Sequence, residues 1–146
     1  MNPTRRLAGR VAVVTGAARG IGRAVALGFA AEGALVQALD REAAELAALA
    51  ASSSGAIAAW PLDLADAAAV EATFAAIEAA AGPVGVLVNN AGIITRGPVE
   101  AIPVETWDRM MAVNLRAAFL CVRSVAPGMK ARRAGPAPVA STQLRA

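Results

Sequence analysis

The stretch Val11 to Gly22, VAVVTGAARGIG, decides the fold of this chain. It joins a short apolar run to an alanine-rich helical pattern through a turn that contains Gly16, Gly20 and Gly22. Glycines at this spacing let the backbone turn tightly and approach a pyrophosphate, and the following helix directs free amide groups at negative charge. The stretch therefore predicts a phosphate-binding turn, although glycines between a strand and a helix can also serve the turn alone.

The rest of the chain alternates short apolar runs with helical patterns. The predicted strands are 11–15, 34–39, 57–62 and 84–88, and the predicted helices are 20–32, 42–51, 66–81 and 104–132. Such alternation with short connections favours an α/β fold with a Rossmann-like, doubly wound parallel sheet. We expect one domain over 1–146, truncated after about its fifth strand, with a poorly defined tail at 134–146 because Pro136 and Pro138 lack strand amides.

The two longest predicted helices carry apolar stripes at helical spacing. In the first, Val70, Phe74 and Ile77 share one face. In the second, the predicted stripe consists of Trp107, Met111, Asn114, Ala118 and Cys121. A polar residue such as Asn114 on this stripe requires a hydrogen-bond partner, which can be a water molecule or the backbone.

The composition excludes several classes of function. The 146 residues contain no histidine, one cysteine and no tyrosine, which argues against a metal site, a disulfide framework and a histidine-based hydrolase. The ends of the chain are basic, but without interleaved aromatic residues or a recognition motif we interpret them as solvated and expect no nucleic-acid partner. No cleavable signal or membrane-spanning segment is evident, so we expect a cytoplasmic protein without a membrane partner.

Acidic and amide residues follow the predicted strands where a ligand of an open α/β sheet would lie. Asp40 closes the second strand at the distance from the glycines at which a carboxylate can accept the hydroxyls of a ribose; alternatively, it caps the next helix. Asp63 follows the third strand and is equally compatible with a helix cap. Asn89 can simply satisfy buried backbone groups between strands.

Several of these motifs occur in the order of a known family. They are TGAARGIG at 15–22, Asp40, the Asp63-Leu64 pair, NNAG at 89–92, and Asn114 within MAVNL. Together they resemble the motif series of the classical short-chain dehydrogenases/reductases, over about residues 7–133. The resemblance implies hydride transfer between a nicotinamide cofactor and an alcohol or ketone, and a homo-oligomer for the complete parent enzyme.

The resemblance also assigns roles to individual residues. The residues implied to contact the cofactor are Gly16, Arg19, Gly20, Ile21, Gly22, Asp40, Asp63, Leu64, Asn90, Ala91 and Gly92. Asp40 implies a preference for NAD over NADP because a carboxylate repels a 2′-phosphate, although Arg19 and Arg41 can attract one, so NADP also stays possible. Asn114 resembles the asparagine that holds a water molecule in the proton relay of the family.

The chain departs from the family in its catalytic residues. The family uses a tyrosine, a lysine four residues later and a serine, whereas this sequence lacks tyrosine and carries its only lysine, Lys130, before the expected serine. Ser141 and Thr142 both match that serine, and either can equally belong to a frayed tail. We therefore expect an inactive cofactor-binding portion of an oxidoreductase.

Two other classes of function remain open from the sequence. The chain can be a truncated or degenerate relative that binds a nucleotide or a partner without catalysis. A methyltransferase can use a similar glycine turn, but it would not require the NNAG and MAVNL segments.

Overall fold

A computed structural model describes residues 5–132 and the backbone of residues 139–141. The strands are β1 Val11–Thr15, β2 Leu35–Asp40, β3 Ile57–Pro61, β4 Val84–Asn89 and β5 Val139–Ser141. The α-helices are α1 Gly20–Ala31, α2 Ala43–Ala51, α3 Ala67–Ala81, α4 Val104–Met111 and α5 Ala117–Ala131. A short 3-10 helix, Val99–Ala101, precedes α4.

The five strands form one parallel sheet in the order β3-β2-β1-β4-β5. The order in which strands are added to the sheet reverses at β1: β2 and β3 lie on one side of β1, and β4 and β5 lie on the other. Open α/β sheets bind ligands beyond the carboxyl ends of the strands at such a reversal. The predicted α/β fold with a Rossmann-like parallel sheet is confirmed.

Helices cover both faces of the sheet and produce two hydrophobic cores. Val11 and Val13 of β1 belong to the core that also contains residues of α3 and α5. Ala12 and Val14 belong to the core under α1 and α2. Side chains of a strand alternate between faces, and a strand covered on both faces is apolar throughout, which explains the uninterrupted apolar run of β1.

The ends of α1 and α3 follow local sequence signals. Gly33, just beyond α1, has φ +87°, a conformation that glycine adopts without strain. The Asp66 carboxylate accepts a hydrogen bond from the Ala69 amide and caps α3. The alternative that Asp63 caps this helix is wrong, because Asp66 lies nearer and occupies the cap. Asp40 does not cap α2 either, since the N-cap position is Glu42.

The predicted long helix 104–132 is continuous but contains a π-helical segment, Ala112–Arg116, between α4 and α5. A π-helical turn adds one residue and rotates the following face of the helix. The predicted stripe is therefore wrong at Trp107 and Asn114, which are exposed, whereas Cys121 is buried as expected. Burial raises the pKa of the Cys121 thiol to about 12, so the thiol stays protonated at neutral pH.

The run from Val104 to Ala131 is long and apolar enough to cross a membrane, judged by length and composition alone. We expected no such segment, because no uncharged stretch of the sequence is continuously apolar. Leu120, Cys121 and Val125 of α5 are buried in the core shared with α3 and β4. A core helix can pass the same test of length and composition, so one such run is weak evidence for a membrane span.

Candidate functional site

A cleft of about 300 Å³ runs along the carboxyl ends of the strands. Its lining comes from the turns after β1, β2, β3 and β4 and from the start of the long helical run, and consists of Gly16, Arg19, Gly20, Ile21, Asp40, Arg41, Leu62, Asp63, Leu64, Asn90, Ala91, Gly92, Ile93, Arg109 and Val113. The structure thus brings to one cleft every residue that the sequence assigned to cofactor contact except Gly22. A cleft of this volume, with a lining of apolar and charged residues, suits a small organic ligand with polar groups.

The turn after β1 leaves no room for side chains at two of its glycines. Gly16 has φ +66°, and a Cβ atom there would lie 2.9 Å from the Ala91 Cα. A Cβ atom on Gly22 would lie 2.1 Å from the Gly16 carbonyl oxygen. Gly22 is therefore a packing residue under the turn rather than part of the cleft surface. Gly20 has φ +55° and open space around it, so it keeps the backbone accessible beside the first turn of α1.

Thr15 and Asn90 fasten this turn to the end of β4. The Thr15 hydroxyl accepts hydrogen bonds from the Asn90 and Ala91 amides, both at 3.1 Å. The Asn90 side-chain amide donates to the carbonyl oxygens of Thr15 at 3.0 Å and Gly16 at 3.2 Å. We considered that Asn89 satisfies buried backbone groups between strands; in the structure the Asn90 side chain does so. The sequence signal for Thr15 was its place before the first glycine, but its hydroxyl contacts could not be read from there.

One polar atom of Asn90 has no hydrogen-bond partner among the described residues. This atom is the buried Oδ1 of the Asn90 side chain. Its Nδ2 atom already donates to two carbonyl oxygens, which fixes the orientation of the amide group. Since buried polar atoms are almost always paired, the residues present fit a ligand that donates a hydrogen bond at this point of the cleft.

Asp40 is held at the end of β2 by backbone hydrogen bonds. Its Oδ2 atom accepts from the Ala18 amide at 3.1 Å, and its Oδ1 atom accepts from the Glu42 amide at 3.2 Å. Each carboxylate oxygen retains acceptor capacity after one such bond. Asp40 is thus oriented in the cleft and can accept further hydrogen bonds.

The arginines beside Asp40 share one acidic partner. Arg41 Nε lies 3.1 Å from the Glu42 Oε1 atom, and Arg19 Nη2 lies 3.9 Å from the same atom. Both arginines line the cleft. Because Glu42 faces both guanidinium groups, their positive charge is partly compensated before any anion arrives.

Asp63 lines the cleft just after β3. Its Oδ1 atom accepts from the Ala65 amide at 2.9 Å, and Arg109 of α4 lies 3.1 Å from its Oδ2 atom. The Ala65 amide and the Arg109 guanidinium lower the pKa of Asp63 below its ordinary value, and partial burial opposes them. Asp63 is therefore an ionised acceptor at neutral pH. Arg109 was missed in the sequence, because a contact across 46 residues leaves no local signal.

The side chain of Asn114 connects the π-helical segment to the loop that follows β4. Its Oδ1 atom accepts from the Ile93 amide and its Nδ2 atom donates to the Ile93 carbonyl oxygen, both at 2.8 Å. The sequence left a water molecule and the backbone as alternative partners of the Asn114 side chain. The structure shows hydrogen bonds to the backbone of Ile93. The predicted role of Asn114 in a proton relay stays a prediction, and π-helical segments often occur at functional sites.

The backbone of Ser141 ends β5 beside Asn89 of β4. We considered a frayed tail for these residues, but the backbone of 139–141 forms a strand that pairs with β4. Thr142 and the remainder of the predicted tail lie outside the described residues. The predicted catalytic role of Ser141 stays a prediction.

Comparison with known families and structures agrees with this geometry. A family model described as short chain dehydrogenase matches residues 10–140. The chain belongs to this family. Among curated proteins, the D-threitol dehydrogenase of Mycolicibacterium smegmatis is 42% identical over 127 residues, which are 85% of this chain and 49% of that protein. The chain spans about half the length of the curated relatives it matches.

Two solved structures of similar fold contain a bound dinucleotide. A metagenomic short-chain oxidoreductase in complex with NADP is 37% identical, with a TM-score of 0.86 over 92% of this chain and 62% of that chain. A 3-ketoacyl-(acyl-carrier-protein) reductase of Brucella melitensis complexed with NADH is 36% identical, with a TM-score of 0.81 over 86% of this chain and 52% of that chain. Members of similar fold thus bind either form of the dinucleotide.

Proposed function

We propose that the chain binds a nicotinamide dinucleotide as the cofactor-binding part of a short-chain oxidoreductase. The observation that carries this proposal is the cleft in which the glycine turn, Asp40, Asp63 and Asn90 meet at the carboxyl ends of the strands. When bound, the dinucleotide supplies or accepts hydride for an alcohol or ketone substrate.

Each part of the cleft has a role in this proposal. The turn from Gly16 to Gly22, with Arg19 and Ile21, holds the phosphates beside the amides at the start of α1. Asp40 accepts ribose hydroxyls, and Asp63 with the Leu64 backbone contacts the adenine. Asn90, Ala91 and Gly92 lie along the remainder of the dinucleotide. The Asn90 Oδ1 atom, which has no partner within the described part of the chain, supports a ligand group that donates a hydrogen bond in this last position.

We propose a preference for NAD over NADP. The Asp40 carboxylate lines the cleft, and Glu42 partly compensates the positive charge of Arg19 and Arg41. A 2′-phosphate beside Asp40 would therefore meet a negative charge with little positive charge to offset it. Like charges at contact distance disfavour binding by an amount that we place at about tenfold in affinity.

Calorimetric titration of the chain with NADH and NADPH tests both proposals. We expect tighter binding of NADH, and loss of that preference in Asp40→Ala. The matched control is Asp108→Ala, which removes an exposed aspartate of α4 outside the cleft lining and should change neither affinity. Equal affinity of the unmodified chain for the two dinucleotides would overturn the preference, and binding of neither would overturn the cofactor site itself.

A second candidate function is dinucleotide binding without catalysis. The 146 residues contain no tyrosine, and Lys130, the only lysine, lies near the end of α5 and does not line the cleft. A Xanthobacter autotrophicus protein named inactive 2-(S)-hydroxypropyl-CoM dehydrogenase 2 is 47% identical over 105 residues, which are 70% of this chain and 45% of that protein. Binding of NADH without oxidation of any alcohol in the presence of NAD would favour this candidate.

Self-association and a cytoplasmic location are further proposals for the complete protein. Leu115 and Phe119, one helical turn apart, expose 64% and 60% of their surface and support an apolar contact face on the long helix. Sedimentation of the unmodified chain and of Phe119→Asp tests the first proposal, with dissociation expected in the variant. Cell fractionation tests the second.

A further inference from the structure

Two arginines of the long helical run hold the loop between β3 and α3. Arg109 of α4 contacts the Asp63 carboxylate, with its Nη2 atom 3.1 Å from Oδ2 and 3.4 Å from Oδ1. Arg116 of the π-helical segment donates to the Ala65 carbonyl oxygen at 2.7 Å. Asp66, the next residue, is fixed as the cap of α3. The loop is therefore held by side chains that lie more than forty residues away in the sequence.

The bonds around Asp63 leave one side of its carboxylate available. The Oδ1 atom accepts from the Ala65 amide and receives the longer Arg109 contact. The Oδ2 atom has Arg109 as its only hydrogen-bond partner among the described residues. A carboxylate oxygen has two acceptor positions, so Oδ2 keeps one. Because the Ala65 amide and Arg109 fix the carboxylate from two directions, the free position points in one set direction.

We propose that Arg109 is a positioning residue that orients Asp63 to select a purine bearing an amino group over one bearing an oxo group. The inference rests on the proposed dinucleotide site and deepens it. An amino group donates a hydrogen bond to the free position of Oδ2, whereas an oxo oxygen there faces a negative charge. Without Arg109 the carboxylate can rotate about its side-chain bonds, and the free acceptor no longer has a set direction.

The experiment compares two dinucleotides whose purines differ in this group and in the proton that the oxo form carries on the neighbouring ring nitrogen. NADH and reduced nicotinamide hypoxanthine dinucleotide are titrated calorimetrically into the unmodified chain and into Arg109→Met, which keeps an unbranched apolar side chain and removes the guanidinium group with its charge. We expect the unmodified chain to prefer NADH, and Arg109→Met to lower that preference about fivefold, the upper range for a partly exposed ion pair. The loss should come from weaker NADH binding, with the affinity for the hypoxanthine form nearly unchanged.

Two further variants separate positioning from a general structural effect. Arg109→Lys retains one donor toward Oδ2 and should recover most of the preference. Arg123→Met removes an arginine of α5 that lies 3.8 Å from Glu71 and outside the cleft lining, and it should leave both affinities unchanged.

The possible outcomes distinguish this inference from the function on which it rests. If the unmodified chain binds neither dinucleotide, the proposed function fails and the role of Arg109 fails with it. If it binds NADH but Arg109→Met keeps the same preference, or loses both dinucleotides equally, only the role of Arg109 is overturned. A preference of the unmodified chain for the hypoxanthine form would also overturn it, since Arg109 would then be the group that recognises the base.

Discussion

The turn after β1 and the loop after β3 line the same cleft, but they are built differently. The first is fixed by its own glycines and by the packing of Gly22 against the Gly16 carbonyl oxygen. The second is fixed by Arg109 and Arg116, which reach it from the long helical run. A close-packed backbone has no alternative arrangement, whereas exposed ion pairs contribute little to stability. We therefore expect changes in the first region to affect folding and changes in the second to affect ligand selection.

The largest effect is expected for Gly22→Ala. The new Cβ atom would lie 2.1 Å from the Gly16 carbonyl oxygen, so the turn or α1 must move. Overpacking of this kind lowers the free energy of unfolding by about 3 kcal/mol or more, and NADH binding should be lost. Denaturant unfolding and calorimetry measure the two effects.

Gly28 of the same helix provides the matched control for Gly22. A Cβ atom on Gly28 would have nothing within 4 Å. Alanine favours a helix interior over glycine by about 0.5 to 1 kcal/mol, so Gly28→Ala should raise stability. If both variants lose stability to the same extent, the close packing of the turn is not what distinguishes it.

A smaller effect is expected where the turn is fastened to β4. Thr15→Val keeps the shape of the side chain but leaves the Asn90 and Ala91 amides without their hydroxyl acceptor. An unpaired buried donor costs about 1 to 3 kcal/mol, and of the two bonds only that of the Asn90 amide is fully buried, so the free energy of unfolding should fall by about 1 to 3 kcal/mol. Thr15→Ser retains the hydroxyl and should recover most of this loss. Equal stability of the valine and serine variants would show that the hydroxyl does not fasten the turn.

The arginine contacts to the second region should have small effects on stability. Arg109→Met and Arg116→Met are each expected to lower the free energy of unfolding by about 1 kcal/mol or less, because these side chains are largely exposed. Urea titrations of both single variants and of the double variant measure these effects. A loss of 3 kcal/mol or more in either single variant would contradict the distinction between the two regions.

The smallest effect concerns pH. The pKa of Asp63 is lowered by the Ala65 amide and Arg109, so its contribution to stability is present above its ordinary pKa of 3.8 and is lost as pH falls through the lower folded value. The difference in stability between the unmodified chain and Asp63→Asn should therefore shrink below about pH 4. Urea unfolding at neutral and acidic pH measures this difference. A difference that stays constant with pH would contradict the ionised pairing.

Glu32 has the same direction of shift, because the Arg6 backbone amide and side chain lower its pKa. This contribution is common to the unmodified chain and Asp63→Asn, so it cancels in the difference between them. The pH dependence that remains therefore reports on the loop after β3.

Much of the fold was evident in local patterns of the sequence. Short apolar runs predicted β1 to β4 within one or two residues, because strands in a sheet covered on both faces are apolar throughout. The π-helical segment was not predicted, since one inserted residue leaves no mark in composition. The apolar stripe through Trp107 and Asn114 was wrong for this reason.

For the candidate site, too, part was predictable from the sequence and part was not. The glycine turn, Asp40, Asp63, Asn90 and Asn114 could be named from spacing and family resemblance, because each follows a strand end or occupies a fixed motif position. Their partners could not be named. That Asn114 contacts Ile93, and that Asp63 contacts Arg109, depends on how helices lie over the sheet.

The sequence by itself determined where the backbone must turn tightly and which strands are buried, because glycine geometry and apolar periodicity act over a few residues. Only the tertiary structure decided which polar and charged groups meet. It leaves the Asn90 Oδ1 atom without a hydrogen-bond partner among the described residues, and it places Glu42 beside two arginines and Arg109 on Asp63. Electrostatic and hydrogen-bond contacts depend on distances between residues far apart in the chain, and those distances exist only once the helices have packed on the sheet.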